Sequence, residues 1–261
     1  QRQALVTCEH VPAGRSRVIR PAIELDRFSG RAERGEARRR LQLTANDIAV
    51  GIVANLRSEK RHDVFIETAR RLAPRYPNLR FLIIGDGPRR EAVRAAAAKT
   101  GLPAGVLRLL GPRDDVEQLL SGLDVACLCS EVECFSVSML EAAAAGCAFV
   151  GPDTGCLTEF LESGRNGRVI RPADVESLAD AIASLVEDSS LRTRLAEAAR
   201  RDVEEGYGID TMAGAFADLF SALQAKPREN TVRPMPAPGI RDSQPRNKQP
   251  IPVDASPDSY T

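Results

Sequence analysis

The chain has 261 residues with 36 basic and 36 acidic side chains, so its formal net charge at pH 7 is zero. This balance produces no overall field that favours nucleic acid or an anionic surface, and no nucleic-acid partner is expected. Neither a signal peptide nor an apolar run long enough to span a bilayer is found, so a cytoplasmic protein is expected. The first residue is Gln1 rather than methionine, which suggests a fragment or a missing start.

The predicted elements begin with a strand over residues 17–20, ended by Pro21, and a charged helix over residues 28–43. From residue 47 onward strands and helices alternate. Strands are predicted at 48–54, 79–84, 106–110, 125–129 and 148–150. Helices are predicted at 64–72, 89–99, 116–120, 175–186, 191–203 and 212–223. The alternation predicts an α/β fold, a Rossmann-like parallel sheet with helices on both faces.

Other regions carry weaker predictions. Residues 226–261 are rich in proline and polar residues, so we expect a disordered tail. The basic run 38–40 is interpreted as a solvated helix face, and His62 as a surface residue. The six cysteines lack the spacing of a zinc site or a disulfide framework, so they are interpreted as small buried residues of a reducing compartment.

Two carboxylates, Glu133 and Glu141, stand in a segment that joins the 125–129 strand to an alanine-rich helix. A helix that opens near Phe135 would place Glu133 in the preceding loop and Glu141 in the second turn. A carboxylate accepts two hydrogen bonds from a sugar diol, and the free N–H groups of a first helical turn suit a phosphate. The alternative is that both are solvated acids flanking a helix.

Three other strand exits should lie at the same edge of the sheet, where open α/β sheets bind ligands. The first, residues 54–63, carries cations that include Arg57 and Lys60, suited to an anion or to a solvated basic turn. The second is Gly85-Asp86-Gly87-Pro88, a turn that permits close approach of a ligand, although it lacks the third glycine of the dinucleotide fingerprint. The third is the glycine-containing loop 151–159.

In their order these loops resemble the nucleotide-sugar-binding half of the retaining glycosyltransferases of family 4, which have the two-domain GT-B fold. The matching pieces are 51–63, 82–88, 109–111 with Asp115-Val116, Ser130-x-x-Glu133-Cys134-Phe135-Ser136 with Glu141, and Asp153-Thr154-Gly155 with Glu159. The resemblance implies a donor-binding domain over residues 21–225, preceded by a linker at 1–20 from an absent N-terminal half. It also implies a glycosyltransferase that moves a sugar from a nucleotide-diphosphate sugar to an acceptor.

The resemblance implies a role for each matching residue. Lys60 would hold the donor diphosphate, and Glu133 would accept hydroxyls of the transferred sugar; these two are the candidate catalytic residues. Phe135 and Ser136 would offer main-chain N–H groups to the sugar phosphate, and Glu141 would bind the ribose diol. Gly85 and Gly87 are further donor-binding candidates. No metal or other cofactor is implied, so the donor substrate is the only small molecule expected besides the acceptor.

The sequence departs from the family pattern at several of these positions. Asn55 stands where the family usually has an arginine, and Arg57 is close enough to substitute for it; both are donor-binding candidates. Cys134 and Cys156 replace usual glycines. The acceptor, a glycan, lipid or small molecule, is not identified, and peripheral membrane association would come through the absent half. A non-catalytic nucleotide-sugar-binding module and a sugar-nucleotide epimerase remain alternatives.

Overall fold

The computed structural model describes residues 12–28 and 34–225. Its strands are β1 (Ile48–Val53), β2 (Leu79–Ile84), β3 (Leu107–Gly111), β4 (Val125–Cys127), β5 (Ala148–Pro152) and β6 (Arg168–Ile170). They form one parallel sheet in the order β3-β2-β1-β4-β5-β6. The predicted parallel sheet is therefore confirmed, and β6 is added to the five predicted strands.

The described residues contain eight α-helices. These are α1 (Arg34–Arg40), α2 (His62–Leu72), α3 (Arg90–Ala98), α4 (Val116–Leu120), α5 (Val137–Ala144), α6 (Val175–Glu187), α7 (Ser189–Gly206) and α8 (Ile209–Ala225). Helix α2 packs against α6, and α5 packs against α7 and β5, so helices cover both faces as predicted. None of the helices in the described ranges has the length and apolar character needed to cross a membrane.

The core lies along the central strands. β1 buries Ala49, Val50 and Ile52 completely, and in β2 Phe81 and Leu82 have no exposed surface. Strands that are covered by helices on both sides lose the apolar-polar alternation of a half-exposed strand, which is why these runs are continuous in the sequence. Burial of one such side chain stabilises the fold by about 1.5 to 3 kcal/mol. The sheet is therefore a rigid base for the loops at its edge.

Two predictions near the start of the described chain are wrong or only partly right. Residues 17–20 form no strand; the nearby main-chain pairing is an isolated bridge between Ile23 and Gly208. Side chains hold this segment instead, since the Arg20 guanidinium lies 6.0 Å from the ring centre of Tyr207. Of the helix predicted at 28–43, the described residues show α1, which ends at Arg40, and a separate 3-10 turn that ends at Phe28.

The burial of side chains corrects the interpretations given for the basic run 38–40, for His62 and for two of the cysteines. Arg38 is not solvated: its side chain is 13% exposed and donates to Asp124 at 3.2 Å, whereas Arg39 and Arg40 pair with Glu36 at the surface. His62 is 3% exposed rather than a surface residue.

Among the cysteines, Cys127, Cys129 and Cys147 are buried as expected, but Cys134 is exposed and Cys156 partly so. Predictions for residues 1–11 and 226–261, including most of the linker and the whole tail, lie outside the described residues.

Candidate functional site

The strand order places one crevice in the middle of the sheet. After β1 the chain proceeds to β2 and β3 on one side, then returns to β4 on the other side of β1. The connections that follow β1 and β4 therefore lead toward opposite sides of the sheet, and open α/β sheets bind ligands in the crevice at such a switch point. A cavity of about 470 Å³, here called the inner cavity, lies at this point. Its wall includes Asn55, Lys60, Gly85, Asp86, Arg113, Glu133, Phe135 and Ser136.

Lys60 and Glu133 meet at the floor of the inner cavity. Lys60 ends a 3-10 turn after β1, and Glu133 lies in the loop after β4, so the two strand exits bring together residues that are 73 positions apart in the sequence. The Lys60 ammonium donates to Glu133 Oε2, which also accepts from the Ser130 hydroxyl at 3.2 Å. The two side chains are 20% and 11% exposed, so each charge is neutralised by the other in a partly desolvated place.

A glycine fixes the neighbouring wall. Gly85 has φ +141°, and a Cβ added there would lie 2.1 Å from the Ala54 carbonyl oxygen. Only glycine accepts both this conformation and this approach, so the exits of β1 and β2 run side by side. The next residue, Asp86, is held by Arg90 at 3.1 Å and accepts from the Gly87 N–H at 2.8 Å. The turn is thus rigid before any ligand arrives.

The start of α5 faces the same cavity. Ser136 is the N-cap and its hydroxyl accepts from the Met139 N–H at 3.3 Å, so one of the free donors of the first turn is satisfied. The N–H groups of Val137 and Ser138 belong to that turn, where no intrahelical acceptor exists. The Phe135 ring stacks on Tyr207, with ring centres 5.9 Å apart, which anchors the peptide before the helix. This end of α5 presents partial positive charge to the cavity.

Glu141 lies in a second, adjacent cavity of about 500 Å³, here called the side cavity. Val53, Arg113, Val116 and Val137 contribute to the walls of both cavities. Glu141 is one helical turn after Val137, so both residues point to the same side of α5. Its pKa is raised, first by burial, against the lowering effect of Arg27; Glu117 adds to the rise. Among the described residues we find no hydrogen bond or ion pair to its carboxylate.

The structure separates some predicted site residues from the others. Arg57 lies outside the inner cavity and borders a small cavity of about 70 Å³ with Arg89, so it does not substitute at the position of Asn55 in this arrangement. Gly87 is also outside; its main chain packs against Leu56 instead. The loop 151–159 supports the site from behind, because an added Cβ at Gly155 would lie 1.5 Å from the Glu133 carbonyl oxygen.

Sequence reasoning missed Arg113. This residue follows β3 and lines both cavities, and its guanidinium makes two hydrogen bonds of 2.8 Å to the Asp115 carboxylate. That pairing holds the pKa of Arg113 above its usual range and fixes the side chain at the boundary of the cavities. The sequence contained one indication of this residue. Arg113 follows β3, and the exit of β3 lies at the same edge of the sheet as the other loops.

Comparison with known proteins agrees with this geometry. The family described as "Glycosyl transferases group 1" matches residues 33–202. A D-inositol 3-phosphate glycosyltransferase of Corynebacterium urealyticum is 28% identical over 232 residues, which is 84% of this chain and 54% of the relative. A glycogen synthase of Mycobacterium tuberculosis is 32% identical over 183 residues, 69% of this chain and 44% of the relative. The chain thus spans about half the length of the curated relatives it matches.

Solved structures give the same fold. Anabaena Alr3699/HepE in complex with UDP-glucose is 22% identical with a TM-score of 0.77, over 85% of this chain and 61% of that one. The C-terminal domain of a group 1 glycosyl transferase, LpcC, from Francisella tularensis is 24% identical with a TM-score of 0.65, over 72% of this chain and 99% of that one. The expected fold, the Rossmann-like parallel sheet of one half of a GT-B protein, is confirmed. This chain belongs to the group 1 family of glycosyl transferases.

Proposed function

We propose that this chain is the donor-binding half of a retaining glycosyltransferase of family 4, which moves a sugar from a nucleotide-diphosphate sugar to an acceptor. The observation that carries the proposal is the convergence of Lys60, Glu133 and the start of α5 on one cavity, with Glu141 in the cavity beside it. Cations and free N–H groups suit a diphosphate, and carboxylates suit hydroxyls. An activated sugar carries both kinds of group in series.

The two cavities divide the donor between them. The diphosphate would lie between Lys60 and the N–H groups at the start of α5, and the transferred sugar would bond to Glu133. The ribose would bond to Glu141, and the base would occupy the side cavity next to Arg113. Each charge-assisted hydrogen bond of this kind contributes about 1.5 to 3 kcal/mol. The partly buried carboxylate of Glu141 fits this role, because a diol would provide the hydrogen bonds that it lacks among the described residues.

The same groups would assist transfer. As the bond between the sugar and the diphosphate breaks, negative charge grows on the leaving phosphate oxygen. Lys60 and the N–H groups of α5 are placed to stabilise that charge, and loss of one such donor costs about 2.7 to 4 kcal/mol in the barrier. We propose that these groups neutralise the leaving diphosphate without a bound metal, and that the protein acts in the cytoplasm. The acceptor would be held by the half of the relatives that this chain does not span.

One observation favours the alternative of a non-catalytic nucleotide-sugar-binding module. Asn55 replaces the usual arginine, and Arg57 borders a different cavity, so the cation that the family pattern implies at this position does not line the inner cavity. A site with fewer cations could bind a donor and stabilise the leaving group less. The family match goes against the epimerase alternative.

Calorimetry with a panel of nucleotide-diphosphate sugars, beginning with UDP sugars, tests donor binding. We expect a member of the panel to bind, and Lys60→Ala to weaken its binding roughly 10- to 100-fold, the effect of one charge-assisted bond. Arg57→Ala removes a cation outside the cavity and is the matched control, with little effect expected. Absence of binding across the panel would overturn the proposal. A second assay measures the release of nucleoside diphosphate by a protein that also includes the half of the relatives not spanned here. A transferase should release it only when an acceptor is supplied, whereas a binding module should not release it.

A further inference from the structure

Two cysteines lie in neighbouring loops that support the site. Cys134 follows Glu133 directly, and Cys156 lies in the loop after β5. The Cys156 N–H donates to the Cys134 carbonyl oxygen at 2.8 Å. By standard bond lengths and hydrogen-bond geometry, two residues joined by one such bond have Cα atoms roughly 5 to 6.5 Å apart. A disulfide spans Cα separations of about 4.4 to 6.8 Å.

The loop after β5 and the loop after β4 contact each other next to these two cysteines. The Thr154 hydroxyl donates to the Glu131 carbonyl oxygen at 3.2 Å, and Gly155 packs so closely on Glu133 that an added Cβ would overlap its carbonyl oxygen. With the Cys156 bond, these contacts join three successive residues of one loop to the other. The approach of the two cysteines is therefore part of how the loops pack.

Their environment differs from that of the other described cysteines. Cys127, Cys129 and Cys147 are buried, whereas Cys134 is exposed and Cys156 is partly exposed. Burial, followed by a hydrogen bond to the Glu159 carboxylate, raises the pKa of the Cys156 thiol. Cys134 should consequently be the thiol that an oxidant attacks first, because it is the more exposed of the two and reactivity follows exposure.

We propose that Cys134 and Cys156 form a reversible disulfide in the presence of a peroxide, and that this bond controls the loop that carries Glu133. Hydrogen peroxide oxidises the Cys134 thiol to a sulfenic acid and leaves as one water. The Cys156 sulfur then attacks the Cys134 sulfur; the S–S bond forms, the S–O bond breaks, and the hydroxide takes the thiol proton to leave as a second water. Two thiols and one peroxide thus give one disulfide and two waters, and an external dithiol reverses the step.

The bond would act on Glu133 through the main chain. Glu133 must turn from Lys60 toward the sugar when a donor binds, and a covalent link at the next residue restricts that adjustment. We expect oxidation to weaken donor binding on the order of tenfold, within the usual range of coupling between sites. This second part depends on the proposed function, whereas formation of the disulfide does not.

Peptide mapping tests the disulfide directly. The protein is treated with hydrogen peroxide, its remaining thiols are alkylated, and it is digested with a Glu-specific protease. Such a protease cuts after Glu133 and Glu141, and so separates Cys134 from Cys156; trypsin would leave both in one peptide, since no lysine or arginine lies between them. We expect peptides 134–141 and 142–159 to be linked, lighter by two hydrogen atoms, with Cys147 of the second peptide alkylated, and a dithiol to separate them. Peroxide that instead links Cys8 to either residue, or leaves both alkylated, would overturn the proposal.

Single substitutions provide the controls. Cys134→Ser and Cys156→Ser should each abolish the link and leave donor affinity insensitive to peroxide, while Cys129→Ser, at a buried position, should leave the link intact. A disulfide that forms without a change in affinity would overturn the control of binding. Failure of the reduced protein to bind any donor would instead count against the proposed function, so the two proposals fail separately.

Discussion

The Lys60 ammonium and the Glu133 carboxylate are bonded to each other at the switch point of the sheet, where the exits of β1 and β4 meet. Both groups are mostly buried, at 20% and 11% exposure of the side chain, so removal of either leaves the other without its partner in a desolvated place. A diphosphate would compete with Glu133 for the same ammonium. The pair thus holds the site in a neutral form until a ligand supplies the negative charge.

This pairing predicts a specific pattern of stability in the ligand-free protein. Lys60→Ala should reduce the free energy of unfolding by about 1 to 3 kcal/mol, because Glu133 loses its main donor. The same substitution in a Glu133→Gln background should cost less, since no buried charge remains. Urea denaturation of the four proteins measures the coupling between the residues. Equal effects of Lys60→Ala in both backgrounds would show that the pair does not interact in solution.

Substitution of Glu141 should have opposite effects on the stability of the protein and on its affinity for the donor. The folded-state pKa of Glu141 is raised above 4.5, mainly by burial, so stability falls as the pH rises from 4.5 to the folded pKa, and the full cost of the charged form remains at higher pH. Glu141→Gln should therefore stabilise the protein at pH 8, and the gain should disappear as the pH falls toward 4.5. Donor affinity should fall roughly 10- to 100-fold because the ribose loses a charged acceptor.

Thermal unfolding at the two pH values and calorimetry check the two effects of Glu141→Gln. A variant that is less stable than the natural protein at pH 8 would contradict the cost of burying the Glu141 charge. A variant that binds the donor equally well would contradict the role of Glu141 in binding the ribose.

Gly155 should be indispensable to the position of Glu133. It has φ +59°, and an alanine Cβ would lie 1.5 Å from the Glu133 carbonyl oxygen, so Gly155→Ala must move the loop. Gly164→Ala is the matched control, because Gly164 also has a positive φ, +84°, but nothing lies within 4 Å of an added Cβ. The control should lose about 1 to 2 kcal/mol from backbone strain alone.

Urea denaturation and calorimetry together distinguish these two glycine variants. Gly155→Ala should lose more stability than Gly164→Ala and should also bind the donor more weakly. Equal losses of stability, with unchanged donor binding in both variants, would contradict the close packing of the two loops.

The sequence was sufficient for most of the fold and insufficient for parts of the site. Long buried strands such as β1 and β2 are continuous apolar runs, which only a sheet covered on both faces explains. β6 escaped prediction because its three residues begin with Arg168 and give too short a pattern. Arg57 and Arg113 could not be distinguished by sequence, because the direction in which a loop side chain points depends on the turn that precedes it.

The burial of His62 also depends on the direction of its side chain, which the sequence does not give. We expect this burial to make stability depend on pH. Both ring nitrogens are buried without a hydrogen-bond partner among the described residues, and burial lowers the pKa of His62 from 6.5 to about 4. As the pH is lowered from 6.5 to 4, His62 therefore binds a proton in the unfolded chain but not in the folded protein. The free energy of unfolding decreases over this interval. The full loss is about 3 kcal/mol.

Substitution of His62 by an apolar residue checks this effect. His62→Leu should remove the dependence on pH over that interval and raise stability at pH 5, as measured by urea denaturation at several pH values. A variant with the same pH profile as the natural protein would show that another group is responsible.

A crystal structure with the nucleotide-diphosphate sugar that binds most tightly would locate the donor relative to the two cavities. We predict the phosphate oxygens within hydrogen-bonding distance of Lys60 and of the first N–H groups of α5, and the ribose hydroxyls on Glu141 in the side cavity. A nucleotide bound with its phosphates beside Arg57 and Arg89, or at the opposite edge of the sheet, would contradict the account.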